Sequence, residues 1–211
     1  MRKLLLLVVL AAPFVAAAAD RSQPPLFFRE DWTETPPNLP VTDADLANKD
    51  LTVSRWGPGG SVIKKSFHDN KPEDPYYIWS GLCPGTWAVS LRKKGAMVDL
   101  RAGKVRWRSK QAGFRELRII VQTADGKWMV SDQSDGPADD WRVREFVLAD
   151  IRWRTLDIEK VTEGAWVKAP DLSRVAEVGF TDLTVGGRSA ACSRLDWIEV
   201  YGIAVSGSAS D

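Results

Sequence analysis

Aromatic side chains beside a run of alternating basic residues are the groups in this sequence best suited to chemistry. Tyr77 and Trp79 lie two positions apart in DPYYIWSG, so both would point to the same side of a strand. Sugars offer C–H faces that stack on aromatic rings and hydroxyls that pair with polar groups, so this pair is suited to saccharide binding. Trp107 in KVRWRSKQ is also expected to be exposed, because charged residues flank it, although most of the ten tryptophans must fill the core. We therefore predict ligand-binding roles for Tyr77, Trp79 and Trp107.

The basic residues alternate, so a strand over 104–110 would project all of them from one face. They are Lys104, Arg106, Arg108 and Lys110, and Lys64, Lys65 and His68 would add to them from a neighbouring strand. Like charges this close repel one another unless anionic groups lie among them. Two interpretations stay open. The face is either an ion-pair surface with acids such as Glu116 and Glu145, or a cleft in which Arg106, Arg108 and Lys110 bind the carboxylates or sulfates of an acidic polysaccharide.

Acidic residues near both ends of the chain suggest a cation site. Glu30 and Asp31 in LFFREDW could meet Asp196 in SRLDWIEVYG if the first and last strands pair. Calcium accepts carboxylate and carbonyl oxygens in flexible geometry, so calcium at Glu30 and Asp196 is the one cofactor that we expect. The alternative is a set of unpaired surface carboxylates. A zinc or copper site built from several histidines is excluded, because His68 is the single histidine.

The last predicted strand, 193–201, would turn even-numbered residues from 194 to 198 to one face and odd-numbered ones to the other. A solvated edge strand is the alternative interpretation.

Catalysis has few candidate residues here. A nucleophilic serine or cysteine would need His68 as its base, and no G-x-S-x-G elbow is present. A polysaccharide lyase is the enzyme that the residues allow. Arg106 or Arg108 would neutralise a uronate, while Tyr77 or His68 would remove the proton α to its carboxyl group.

The elements that must position these residues are short strands. Runs rich in Val, Ile, Trp, Phe and Tyr, separated by Gly, Pro, Asp and Asn, predict strands at 26–32, 51–56, 62–68, 76–80, 86–92, 96–100, 104–110, 115–124, 127–132, 142–148, 152–158, 177–183 and 193–201. Asp43–Asn48 is expected to make one helical turn. Asp125-Gly126 between two runs predicts a tight hairpin, because the turn needs positive φ. The pattern predicts an all-β fold, a single-domain β-sandwich or jelly roll of about 12 antiparallel strands over 26–202.

The chain ends and the cysteines indicate export. Residues 1–19 have a basic start, an apolar core and a run of alanines, as in a signal peptide, and 203–211 is a Gly/Ser-rich segment expected to be a flexible tail. No second apolar run is long enough to span a bilayer, so we expect a secreted or periplasmic protein without stable membrane insertion. Two cysteines in such a chain predict a disulfide, Cys83–Cys192, with two buried free thiols as the alternative.

The charge balance bears on the partner. With 29 Lys and Arg against 28 Asp and Glu, the chain lacks the basic excess that duplex nucleic acid requires, so nucleic acid is not an expected partner.

From FFREDW to LDWIEVYG the sequence resembles the galactose-binding-like jelly rolls that include many carbohydrate-binding modules. The likeness lies in the acidic first strand, the hairpin LRIIVQTADGKW and the ending VGFTDL…SRLDWIEVYG. This resemblance implies a carbohydrate-binding β-sandwich, with structural calcium between the first and last strands.

The chain is also similar to secreted bacterial proteins identified as family 16 glycoside hydrolases. Those enzymes carry Glu-x-Asp-x-x-Glu or Glu-x-Asp-x-Glu on a central strand. Asp196 and Glu199 match this pattern, but Arg194 stands where the nucleophilic Glu belongs. A retaining mechanism needs two carboxyl groups about 5–5.5 Å apart, so the resemblance does not extend to that activity.

Three hypotheses follow for the function. The first is a secreted module that binds a polysaccharide or oligosaccharide. The second is an enzyme acting on an acidic glycan, and the third is a structural envelope protein whose charged faces only keep it soluble.

Overall fold

The computed structural model describes residues 23–68, 75–82, 85–185 and 190–207, and these residues fold almost entirely as antiparallel β-structure. The strands are β1 (Leu26–Glu30), β2 (Leu51–Trp56), β3 (Lys64–Ser66), β4 (Tyr77–Trp79), β5 (Trp87–Lys93), β6 (Ala96–Gln111), β7 (Leu117–Thr123), β8 (Trp128–Asp135), β9 (Arg142–Val147), β10 (Trp153–Asp157), β11 (Thr162–Trp166), β12 (Val175–Asp182) and β13 (Ser193–Ser206). Three single turns of 3-10 helix lie at Asp43–Asp45, Gly60–Val62 and Leu148–Asp150. The predicted all-β class is confirmed.

The strands form two layers. The larger layer has the order β2-β5-β12-β7-β8-β10-β11. The smaller layer has the order β3-β4-β13-β6-β9, and β1 pairs with β13 on the same side as β4 but further along the strand. In the described part of the chain, one β-bridge between Val175 of β12 and Val98 of β6 joins the two layers. The fold is therefore a β-sandwich.

The hydrophobic core lies between the layers. Ile198 and Val200 on β13 are fully buried, as are Val178 and Phe180 on β12, and all four belong to one cluster. Alternation along β13 therefore leaves the remaining residues of this stretch on the outside of the smaller layer. That outside surface is called the outer face below.

The hairpin predicted at Asp125-Gly126 is present between β7 and β8. Gly126 has φ +81°, a backbone conformation that residues with a Cβ rarely adopt, and its amide donates to the Thr123 carbonyl at 2.9 Å. The helical turn predicted within 43–48 is present at Asp43–Asp45.

The strand predictions differ from the structure in two places. β6 is one strand of 16 residues, although we predicted separate strands at 96–100 and 104–110. The register between β6 and β13 shifts at the intervening RAG segment, because Lys104 pairs with Tyr201 and Asp99 with Ile203. The extra residues lie on β6, and pairing continues past them. β11 was not predicted, because all five of its residues are exposed and show no alternation of apolar and polar side chains.

The predicted flexible tail, 203–211, was wrong over its first four residues. β13 runs to Ser206, and Ile203 pairs with Asp99 on the extended β6. The length of β6 provides backbone partners for this segment, which composition alone does not reveal.

Two other predictions concern residues that the structure leaves undescribed. The signal peptide at 1–19 lies outside the described residues, as does Cys83. Cys192 is buried, and its disulfide to Cys83 stays a prediction. Within the described ranges no helix is long and apolar enough to cross a membrane.

Candidate functional site

The outer face collects most of the residues predicted to bind a ligand. Across the β6–β13 pair, Arg108 lies opposite Trp197, Arg106 opposite Glu199 and Lys104 opposite Tyr201. Ile198 and Val200 between them point into the core, so these charged and aromatic partners must point outward. The prediction that the basic residues of 104–110 share one face is consistent with this register.

A β-bulge in β13 changes which residues of this strand lie on the outer face beside the basic residues. The register with β6 shifts between Leu195 and Trp197, so Asp196 is an extra residue. The Asp196 carboxylate accepts a hydrogen bond at 2.7 Å from Nη1 of Arg108, which places it on the outer face. The simple alternation predicted for 194–199 was therefore wrong, since Asp196, Trp197 and Glu199 all lie on the outer face.

Ion pairs neutralise the centre of the outer face. Glu199 accepts from Nη1 of Arg29 at 2.6 Å and from Nη1 of Arg106 at 3.3 Å. On β9, Glu145 lies 3.1 Å from Nζ of Lys104 and 3.4 Å from Nε of Arg106. Most of the basic residues of 104–110 thus have carboxylate partners, as the ion-pair interpretation predicts.

Aromatic rings lie between these charges. Trp79 on β4 is half-buried and lies opposite Arg194 of β13, with Nζ of Lys64 at 5.5 Å from its ring. Trp197 is half-buried beneath the Arg29 guanidinium, whose Cζ is 4.5 Å from the ring centroid. Tyr201 follows four residues later, about 13 Å further along the strand. The outer face therefore alternates amphipathic rings with groups that can hydrogen-bond to hydroxyls.

Tyr77 and His68, the two alternative bases of the lyase hypothesis, are neighbours. The Tyr77 hydroxyl lies 3.3 Å from Nδ1 of His68, and the Tyr77 ring is 5.5 Å from the Trp141 ring, which in turn lies under Arg108. Tyr77 itself is only 3% exposed. The sequence placed Tyr77 and Trp79 on one face, but burial leaves Trp79 as the more accessible of the two.

The ligand-binding role predicted for Trp107 was wrong. Trp107 is fully buried, packs on Phe146 with ring centroids 4.9 Å apart, and donates from Nε1 to Asp135 at 3.0 Å. Its charged sequence neighbours lie on the opposite side of β6, so they indicate nothing about its own exposure.

The structure does not bring Glu30 and Asp196 together as a calcium site. Glu30 is fully buried, and its carboxylate accepts backbone N–H bonds from Trp32, Ala47 and Asn48 at 2.7–3.0 Å. Arg29 points to the outer face, so Glu30 points to the other side, away from Asp196. The described residues contain no group of three or more His, Cys, Asp or Glu side chains placed to hold a metal. Calcium therefore stays a prediction, and the placement of these two carboxylates gives it no support.

Burial raises the pKa of Asp196 to about 6, and the ion pair with Arg108 only partly offsets this effect. A folded-state pKa above the unfolded value means that the folded protein binds more protons between about pH 4 and 6. The contribution of Asp196 to stability is therefore expected to fall by about 2–3 kcal/mol as the pH rises through this window. Urea denaturation at several pH values measures the slope.

The matched protein for this measurement is Asp196→Asn, which cannot titrate at this position. Burial also raises the pKa of Glu30 and of Asp182, and both groups remain in the variant. The wild type should lose more stability than the variant between pH 4 and 6. Parallel stability curves for the two proteins would contradict the assignment.

Sequence reasoning missed several residues of the outer face. Trp197, Glu199 and Tyr201 alternate with buried Ile198 and Val200 in DWIEVYG, and that alternation was the available signal. Arg29 had no comparable signal, because its pairing with Glu199 depends on the β1–β13 register.

Several solved structures are similar to this chain at low identity. A family 11 carbohydrate-binding module from Clostridium thermocellum, in complex with a β-1,3-1,4-mixed-linked tetrasaccharide, has a TM-score of 0.47 and 13% identity over 81% of this chain and 98% of its own. A family 29 carbohydrate-binding module variant complexed with cellulohexaose has a TM-score of 0.44 and 13% identity, over 79% and 91%. An exo-β-agarase has a TM-score of 0.44 and 9% identity, over 80% and 26%. No protein-family model and no curated protein matches the sequence.

Proposed function

We propose that this protein is a secreted, non-catalytic carbohydrate-binding β-sandwich, and that the outer face of its smaller layer is the glycan-binding surface. The observation that carries the proposal is the set of half-buried rings of Trp79, Trp197 and Tyr201 among charged side chains of both signs. Rings of this kind stack on the C–H faces of sugars, and the neighbouring carboxylates and guanidinium groups accept from and donate to hydroxyls.

The spacing of the rings favours a polymer over a single sugar. Trp197 and Tyr201 are about 13 Å apart along one strand, too far for one sugar ring to cover both. A glycan chain lying along β13 could contact both rings and the carboxylate of Glu199 between them. Calcium has no role in this proposal.

Trp79→Ala and Trp197→Ala are each expected to weaken glycan retention by about 1–3 kcal/mol, because each removes a stacking surface. Affinity electrophoresis through gels containing neutral or uronic-acid polysaccharides measures the retention. Trp166→Ala is the matched control. Trp166 is 43% exposed on the larger layer and also lies under two guanidinium groups, Arg152 at 4.1 Å and Arg154 at 4.4 Å.

The control variant should migrate like the wild type in these gels. Equal retention of all three alanine variants and the wild type would contradict the placement of the site. A wild type that no polysaccharide retards would contradict carbohydrate binding itself.

A polysaccharide lyase is the second candidate function, because Tyr77 and His68 are in hydrogen-bonding range near Arg108. A lyase produces unsaturated chain ends that absorb in the ultraviolet, whereas a binding module leaves the polymer unchanged. We expect no new absorbance with any uronic-acid polysaccharide. Absorbance that disappears in Tyr77→Phe, which keeps the ring but removes the hydroxyl, would replace the binding module by the lyase.

A further inference from the structure

One cross-strand row of the outer face differs from the others in its charge. It consists of Lys64 on β3, Trp79 on β4, Arg194 on β13 and Lys110 on β6, each opposite the next in register. In the described part of the chain, Lys64 and Arg194 have no carboxylate within ion-pairing distance. Lys110 has only Asp140, at 3.7 Å, and that side chain is 86% exposed, so solvent screens the pair.

Like charges therefore face each other directly in this row. Arg194 and Lys110 are opposite residues on neighbouring strands, an arrangement that destabilises a sheet unless a negative group lies between or above them. The row through Arg106 has a different composition, because two carboxylates, Glu145 and Glu199, already neutralise it.

Two buried donors of the row also lack acceptors. Among the described residues, neither Nε1 of Trp79 nor Nε of Arg194 has a hydrogen-bond partner, although both atoms are inaccessible to solvent. A buried donor without an acceptor is costly, and buried polar atoms in proteins are nearly always paired. Trp79 and Arg194 lie directly opposite each other on neighbouring strands, so one group could accept hydrogen bonds from both donors.

We infer that Lys64, Trp79, Arg194 and Lys110 form a subsite for an anionic group, a carboxylate or a sulfate ester, carried by an acidic glycan. This inference rests on the proposed function and names the substrate class of the same surface. Because Nε1 of Trp79 and Nε of Arg194 are buried in the free protein, both side chains must turn toward the anion before they donate to its oxygens. The two lysines supply further positive charge. The Trp79 ring remains available to stack on the sugar that carries the anion.

Polymers that differ only in charge test the inference. Polygalacturonate is compared with its methyl ester, and dextran sulfate is compared with dextran, by affinity electrophoresis at low and high salt. The wild type should bind at least one charged polymer about tenfold more tightly than its neutral counterpart, and salt should reduce the difference. Preference for polygalacturonate identifies a carboxylate, preference for dextran sulfate identifies a sulfate, and either outcome supports the subsite.

Three variants test whether the preference for charged polymers comes from this row of residues. Arg194→Gln and Lys64→Gln should each remove most of the charge preference. Trp79→Phe should reduce it, because phenylalanine keeps a ring but has no N–H donor. Arg101→Gln is the matched control, since Arg101 lies on the same sheet layer, is 69% exposed and forms a simple pair with Asp99. A thermal unfolding curve of each variant checks that the variant is folded.

The outcomes separate the subsite from the proposed function. Equal binding of charged and neutral polymers, or a preference that survives in both Arg194→Gln and Lys64→Gln, would overturn the subsite and leave carbohydrate binding intact. A wild type that binds none of the four polymers nor a neutral β-glucan would overturn both.

Discussion

Trp107→Ala is expected to lower the free energy of unfolding by about 3–5 kcal/mol, the range for removing a fully buried tryptophan. The substitution leaves a cavity beside Phe146 and removes a hydrogen bond to the buried Asp135. Asp135 would keep the donors Ser109 and Arg142, so its charge stays partly compensated. Urea denaturation measures the loss.

Trp166→Ala is the control for this prediction as well, because Trp166 is exposed and belongs to neither hydrophobic cluster. Its unfolding free energy should change by less than about 1 kcal/mol. A Trp107→Ala protein as stable as Trp166→Ala would mean that Trp107 is outside the core, as the flanking charges first suggested.

Arg115→Leu should destabilise the fold by about 3–5 kcal/mol, because it leaves the carboxylate of Asp182 buried without its cation. Both side chains are completely buried, with Nη1 of Arg115 3.3 Å from Oδ2 of Asp182. Arg115 also donates to the carbonyl of Thr184 at 2.7 Å and so holds the segment after β12.

The exposed pair of Arg101 and Asp99 provides the comparison, since Arg101→Leu should cost less than about 1 kcal/mol. Denaturation of both variants at neutral pH gives the two values. Similar losses in the two proteins would contradict the assignment of Arg115 and Asp182 as a structural ion pair.

Much of the fold follows from local patterns in the sequence. Alternating β-branched and aromatic residues predicted nearly all the strands, and Asp125-Gly126 predicted a hairpin because its turn needs a residue that tolerates positive φ. β11 escaped prediction because its five exposed residues carry no alternation. The continuity of β6 depends on a partner strand far along the chain, and such pairing is not encoded locally.

The site was predictable in part. Two-residue alternation correctly put the basic residues of 104–110 on one face, and the same alternation implied a buried Trp107. The expectation of an exposed Trp107 came from its sequence neighbours and ignored that implication. The position of Asp196 could not be predicted, because the bulge that turns it outward is a departure from alternation.

The central claim is that glycan binds on the outer face of the smaller layer. A competing location is the open depression of about 650 Å³ beside the β7–β8 hairpin, which is lined by Trp128, Leu156 and Val167 among others. The tryptophan indole N–H groups report on both places, since Trp79 and Trp197 lie on the outer face and Trp128 lies at the depression.

The most direct test is a titration of the isotopically labelled protein with cello-oligosaccharides and with oligogalacturonates, following the indole N–H signals by NMR. We expect the signals of Trp79 and Trp197 to shift with at least one of these sugars, while those of Trp128 and the buried Trp107 stay in place. A shift of the Trp128 signal with Trp79 and Trp197 unchanged would place the glycan at the hairpin and contradict the claim.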